Sequence, residues 1–159
     1  MQDRKIIGIC GGTLGMPGVG KSTVARMLED VAGFRVASFM TPIKEVARTQ
    51  MEWDGNLDKK GVIMLNRLCR LGRSISRDYW LNLTIGKLDP KWDKIVMDDL
   101  FFEEEEAFIK QCGGKTVQVV RGDIPLQASW IHADFVIENN GDLELLKSNV
   151  ATVAKVALQ

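Results

Sequence analysis

Apolar residues follow two alternating rhythms along this chain. At 5–10, Lys-Ile-Ile-Gly-Ile-Cys, they form a short β-branched run with no polar face, the pattern of a central strand covered on both sides. From Lys21 the spacing turns helical, with Val24, Ala25, Met27, Leu28 and Val31 on one stripe and Gly33 as a stop. A second strand is predicted at 34–39. A helix then opens at Thr41-Pro42, the proline in its first turn and Ile43, Val46 and Ala47 on one face. Trp53-Asp54-Gly55-Asn56 breaks the period as a turn. Helices over about 59–71 and 78–88 carry Val62, Ile63, Leu65, Leu68 and Cys69, then Tyr79, Trp80, Leu83 and Ile85. Strands follow at 94–98, 116–120 and 134–138, and helices at 103–112 and 142–158.

Strands that alternate with helices predict an α/β fold with about five parallel strands and right-handed crossovers. No repeat, low-complexity tract or linker divides the chain. It is expected to be one domain, 1–159, with a helical insert at about 42–90.

Composition narrows the classes. The 159 residues are 45% hydrophobic and 26% charged, which supports an ordinary core without staples. Lys+Arg and Asp+Glu number 21 each, so the net charge is zero, removing the usual electrostatic case for nucleic acid or anionic membrane as a partner. No apolar run approaches the roughly 20 residues of a membrane span. The segment ahead of the first glycines is too short for a signal peptide, so a cytoplasmic location is expected. Cys10, Cys69 and Cys112 show no C-x-x-C spacing and His132 is the single histidine, which argues against structural zinc, a disulfide framework or a histidine-rich metal site.

The chemistry concentrates in Gly15-Met16-Pro17-Gly18-Val19-Gly20-Lys21-Ser22, which fits G-x-x-x-x-G-K-[ST] between a predicted strand and a predicted helix. Backbone N–H groups of such a loop, turned inward where glycine tolerates positive φ, form an anion nest, and the helix N-terminus adds its dipole. Gly15, Gly18, Val19, Gly20, Lys21, Ser22 and Thr23 are therefore the expected ATP-binding set. Lys21 is the cation for the β/γ-phosphates and Ser22 a ligand of Mg²⁺. Gly11-Gly12-Thr13-Leu14 lengthens the junction between strand and loop.

Mg²⁺ on a triphosphate also needs a carboxylate. Asp98 and Asp99, at the end of Ile95-Val96-Met97, are the candidates, with Asp99 expected beside Ser22 at the metal. The plainer alternative is that the pair caps the helix beginning at Glu103. Residues 103–106, all glutamate, read as a solvated first turn favoured by the helix dipole. Arg67, Arg70, Arg73 and Arg77 form a basic run on the insert, able to hold an anionic acceptor or simply to face solvent. Trp53 and Trp80 could stack a base or anchor a core. N-K-x-D is absent, so a guanine-specific switch protein is not indicated.

The order of segments resembles the bacteriophage deoxynucleoside monophosphate kinases and their dephospho-CoA-kinase-like relatives. The matching pieces are the phosphate loop, then Phe39-Met40-Thr41-Pro42-Ile43-Lys44-Glu45, similar to F-x-x-P-[IL]-K-[ED]. Trp53-Asp54-Gly55, Leu71-Gly72, and Arg77 with Trp80 follow. Val96-Met97-Asp98-Asp99 with Phe102 and Glu105 is similar to V-x-D-D-x-R-F-x-x-E, and Val119-Val120-Arg121 precedes the last strand and Asn139-Asn140-Gly141. The resemblance implies a three-layer P-loop kinase fold whose helical insert binds the acceptor. It also implies ATP- and Mg²⁺-dependent phosphoryl transfer to a deoxynucleoside 5′-monophosphate, a small-molecule nucleotide partner, and the host cytoplasm for a phage protein. A homodimer is left open. On the same grounds Lys44, Trp53 and Arg77 would hold the acceptor, with Arg73 and Trp80 beside them. Arg121 would face phosphates or adenine, and Asn139 would lie near the base. Asp98, Asp99, Lys21 and Arg121 are the expected catalytic set.

The sequence departs from this pattern at three places. Phe101 stands where the family has arginine, Thr41 where it often has aspartate, and 122–132 has no arginine where a lid is expected. Two alternatives follow: a related small-molecule kinase such as dephospho-CoA kinase, or a nucleotide-binding protein with degraded catalysis.

Overall fold

The computed structural model describes residues 4–13, 18–125 and 131–159. Its elements, in chain order, are β1 (Lys5–Cys10), α1 (Lys21–Ala32), β2 (Arg35–Ser38), α2 (Thr41–Met51), α3 (Lys59–Ile75), α4 (Tyr79–Lys87), β3 (Lys94–Asp98), α5 (Glu103–Gln111), β4 (Lys115–Val120), β5 (Phe135–Glu138) and α6 (Leu143–Ala157). The strands form one sheet in the order β2-β3-β1-β4-β5. Every neighbouring pair is parallel. The fold is therefore α/β in three layers, as the alternation predicts.

Successive residues of β1 point to opposite faces, and both faces are covered. Ile7 and Ile9 pack with Val96, Val117, Val119 and Ile137 against α1 and α6. Ile6 and Cys10 pack with Ile95 and Met97 against Phe108 and Ile109 of α5 and Leu81 of α4. A third cluster belongs to the insert, where Ile43, Ala47, Trp53, Leu65, Leu68 and Trp80 are buried together.

α3 runs one turn further than its apolar period predicts, through Gly72 to Ile75. Gly72 lies inside the helix, and the Trp80 indole occupies the space its Cβ would need, so the glycine permits close contact with α4.

The order of the strands positions the site. Chain progression reverses at β1, which has β3 on one side and β4 on the other, and ligands bind at the carboxyl edge of such a switch point. The Ser38–Asp98 register of β2 with β3 brings a hydroxyl beside the carboxylates at that edge.

Candidate active site

α1 begins directly at Lys21, with Gly20 in the left-handed region at φ 99° as its N-cap. Its first turn has no acidic residue, and among the described residues no side chain caps it, so the positive end of its dipole faces the carboxyl edge of β1. The loop is braced from behind. Asn139, just past β5, donates from Nδ2 to the Val19 carbonyl at 2.9 Å, and its amide occupies the space a Gly20 Cβ would need. Val19 is fully buried and packs against Gly11 and Gly12, which hold positive φ of 137° and 63°. Gly18 and Thr23 are exposed at the loop and helix start; Gly15 lies outside the described residues.

The Lys21 ammonium donates to the Gly11 carbonyl at 2.8 Å, stands 3.7 Å from Asp99 Oδ1, and lies 5.7 Å from the centre of the Phe101 ring. The Ser22 hydroxyl donates to Asp98 Oδ2 at 3.0 Å. Asp98, rather than Asp99, is thus the carboxylate bonded to the loop serine. Its other oxygen accepts from the Asp99 amide at 2.8 Å. Burial, and then the neighbouring Asp99 charge, push the Asp98 carboxyl above its ordinary range, against the Asp99 amide, Lys21 and Ser22. A hydroxyl and a carboxylate on one point make a hard oxygen donor set that suits Mg²⁺. No group of three or more His, Cys, Asp or Glu forms a metal cluster among the described residues.

Asp99 turns the other way because its backbone is left-handed, at φ 59°. Its Oδ2 accepts from the Ser38 hydroxyl at 3.1 Å and from Lys44 at 3.4 Å. Neither aspartate caps α5. Glu105 does so, accepting at Oε2 from the amides of Phe101 at 2.8 Å and Phe102 at 3.0 Å.

The glutamate run is the clearest difference from expectation. Glu103 is solvated, but Glu105 and Glu106 are buried and the Glu104 side chain is 10% exposed. Each buried carboxylate has a local partner: Glu104 pairs with Arg73, Glu105 caps the helix, and Glu106 pairs with Lys110. Burial dominates at Glu105 and pushes it up to about 8, despite the two amides.

On the insert, Lys44 faces the carboxylates, whereas the two tryptophans do not present free faces. Trp53 is 8% exposed and donates to the Asn56 carbonyl at 2.9 Å. Trp80 is 7% exposed, donates to the Cys69 carbonyl at 3.0 Å, and meets Tyr79 edge to face. Both are core anchors of the insert, so base stacking on them is corrected to packing. Arg73 stacks on Phe102 and Arg77 bonds Glu103 at 2.6 Å, so both arginines engage α5. Arg121 is exposed after β4 and has no ion pair among the described residues. The residue signal the sequence reading missed is Ser38, legible only once β2 and β3 are known to pair. A cavity of about 550 Å³ also opens between the end of α2 and α3, touching Met51, Ile63, Met64, Arg67 and Leu71.

No protein-family model matches the chain, and no curated protein sequence matches it. Solved structures do. TT1252 from Thermus thermophilus superposes with a TM-score of 0.63 at 18% identity, covering 98% of each chain. Shikimate kinase from Acinetobacter baumannii, solved with shikimate, gives 0.52 at 16% identity over 99% of this chain and 93% of that one. Shikimate kinase from Aquifex aeolicus gives 0.52 at 17% identity over 96% and 98%. The chain has the P-loop kinase fold. At these identities the likeness establishes that architecture, and the arrangement of Lys21, Ser22 and Asp98 has to carry the chemistry.

Proposed function

We propose that the protein is a Mg²⁺-dependent kinase that moves the γ-phosphoryl group of ATP to a deoxynucleoside 5′-monophosphate, giving the diphosphate. The observation that carries this reading is the Ser22–Asp98 hydrogen bond, formed where α1 starts and beside the Lys21 ammonium. Nest amides and Lys21 would hold the β- and γ-phosphates, while Ser22 and Asp98 would hold the metal ion, directly or through water. Held by these residues, Mg²⁺ would supply positive charge that offsets that of the phosphates.

The acceptor side is set by Asp99 and Lys44. Lys44 already spans from α2 to Asp99, so it is placed to meet an anion entering from the insert. Met51 lies seven residues further along α2, on nearly the same side as Lys44, and borders the 550 Å³ cavity. That volume is in the range of small-molecule sites. The segment order that resembles deoxynucleoside monophosphate kinases supports the choice of acceptor.

A second reading has one observation in its favour. Asp99 sits beside the lysine of the loop, where a carboxylate can take the proton of an attacking alcohol. A phosphate acceptor needs no such base, so a hydroxyl acceptor such as that of dephospho-CoA is the alternative.

A coupled assay over the four deoxynucleoside monophosphates and dephospho-CoA separates the readings. Turnover of one or more monophosphates is expected. Turnover of dephospho-CoA alone would replace the acceptor class, and ATP binding without any turnover would leave a nucleotide-binding protein with degraded catalysis.

A further inference from the structure

We infer that the Asp99 carboxylate is a built-in competitor for Lys21 and Lys44, the two lysines read above as meeting substrate phosphates, and that it thereby keeps simple anions from occupying the site. The inference rests on that reading and gives Asp99 a role in anion selectivity.

One carboxylate spans both cations. Asp99 Oδ1 stands 3.7 Å from the Lys21 ammonium, and Oδ2 stands 3.4 Å from Lys44 on α2. Among the described residues, neither lysine pairs with any other carboxylate. The neighbouring Asp98 is engaged instead by the Ser22 hydroxyl and the Asp99 amide. The Lys21, Asp99 and Lys44 side chains are 16%, 17% and 28% exposed, so water and salt screen these pairs less than they screen surface ion pairs.

Contacts on both sides hold the carboxylate in place. Asp99 keeps a left-handed backbone at φ 59°, a conformation that is costly for a residue with a side chain and persists where its surroundings enforce it. Ser38 is part of that enforcement: its hydroxyl donates to Asp99 Oδ2 at 3.1 Å and accepts from the Met40 amide at 3.1 Å, which ties the carboxylate to the start of α2. Lys21 is fixed in turn by the Gly11 carbonyl, to which it donates at 2.8 Å. Gly11 presents that carbonyl from φ 137°, with the Val119 carbonyl in the space a Cβ would need, so the glycine junction ahead of the loop helps to place the lysine.

A phosphate that takes either lysine has to displace this carboxylate. The exchange replaces one ion pair by another, so an isolated anion gains little from it. A triphosphate gains the nest amides as well, and the displacement lowers its affinity without abolishing binding. The same penalty therefore raises the dissociation constant of every anion, and moves weak binders such as inorganic phosphate above the concentrations at which they compete.

The test is calorimetric titration of ATP with Mg²⁺, alone and against inorganic phosphate as competitor, into the wild type, Asp99→Asn, Lys21→Ala and the Asp99→Asn/Lys21→Ala pair. Asparagine tolerates the left-handed backbone and keeps an oxygen for the Ser38 hydroxyl, so the variant isolates the charge. Asp99→Asn is expected to bind ATP, and to be competed by phosphate, at least about fivefold more tightly, the scale of one lost ion pair. Without Lys21 the same substitution changes ATP affinity by no more than about twofold, because the lysine it would release is gone. The KM of the monophosphate identified by the coupled assay falls at least about threefold in Asp99→Asn, from release of Lys44. Unchanged or weaker ATP binding in Asp99→Asn, phosphate that competes equally in the two proteins, an equal gain in the Lys21→Ala background, or an acceptor KM that does not fall would overturn the inference. If the wild type binds no ATP, the phosphate-binding reading itself fails; if it binds ATP and Asp99→Asn binds no more tightly, only the competition does.

Discussion

The Ser22 hydroxyl and the Lys21 ammonium divide two adjacent aspartates between them, and the division follows from backbone geometry. β3 ends at Asp98 in regular strand conformation, so this side chain meets α1; Asp99 adopts φ 59° and turns toward Ser38 and Lys44. The phosphate loop was legible in the sequence because its chemistry depends on local spacing. Which aspartate faces Ser22 was not, since neighbouring identical residues differ only in a dihedral angle. The buried glutamates were illegible for a related reason: Glu104 is paired by Arg73 from α3, and the partners of Glu105 and Glu106, although within four residues, matter only once α5 is packed with that face inward. At this scale Asp98→Asn is expected to raise the Mg²⁺ concentration needed for half-maximal activity at least about tenfold, consistent with loss of a charged metal partner. Asp99→Asn should leave that requirement within about twofold and act on the acceptor KM or kcat. Magnesium titrations of the two variants check the assignment, and equal shifts would contradict it.

Helices and strands were the most legible level, because each stripe of apolar residues faces a layer of the core. The end of α3 was less so: its apolar period runs out near Leu71, yet the helix continues to Ile75, and Gly72 lies inside it against the Trp80 indole of α4. Gly72→Ala should therefore destabilise the protein despite alanine's better helix propensity, by about 1–3 kcal/mol through forced displacement of Trp80. Urea unfolding measures this, and a stabilised variant would refute the packing argument. The start of α5 carries a pH dependence. Glu105 is raised from 4.5 to about 8, so the folded protein holds this proton more tightly than the unfolded chain. Its contribution is fully present below pH 4.5 and fades as the pH rises through 8, with a slope of up to about 1.4 kcal/mol per pH unit between them. Glu105→Gln keeps an acceptor for the Phe101 and Phe102 amides and removes the titration. Denaturant curves from pH 5 to 8 should be flatter in that variant, and an unchanged slope would exclude Glu105 as its source.

At the level of the whole molecule, parallel strands with helical crossovers were expected from the alternation of patterns, whereas the order β2-β3-β1-β4-β5 depends on pairings that no local pattern encodes. That order lets separate segments of the chain meet at one edge: the loop before α1, the carboxylates after β3, Asn139 after β5 and the insert that follows β2. Phosphate binding at this edge is the claim on which metal and acceptor both depend. Its most direct test is calorimetric titration of ATP with Mg²⁺ into the wild type and Lys21→Ala. Saturable binding by the wild type and a loss of affinity of at least about tenfold in the variant are predicted, from removal of the cation facing the phosphates. No binding by a folded wild type, or equal affinity in the two proteins, would contradict the account.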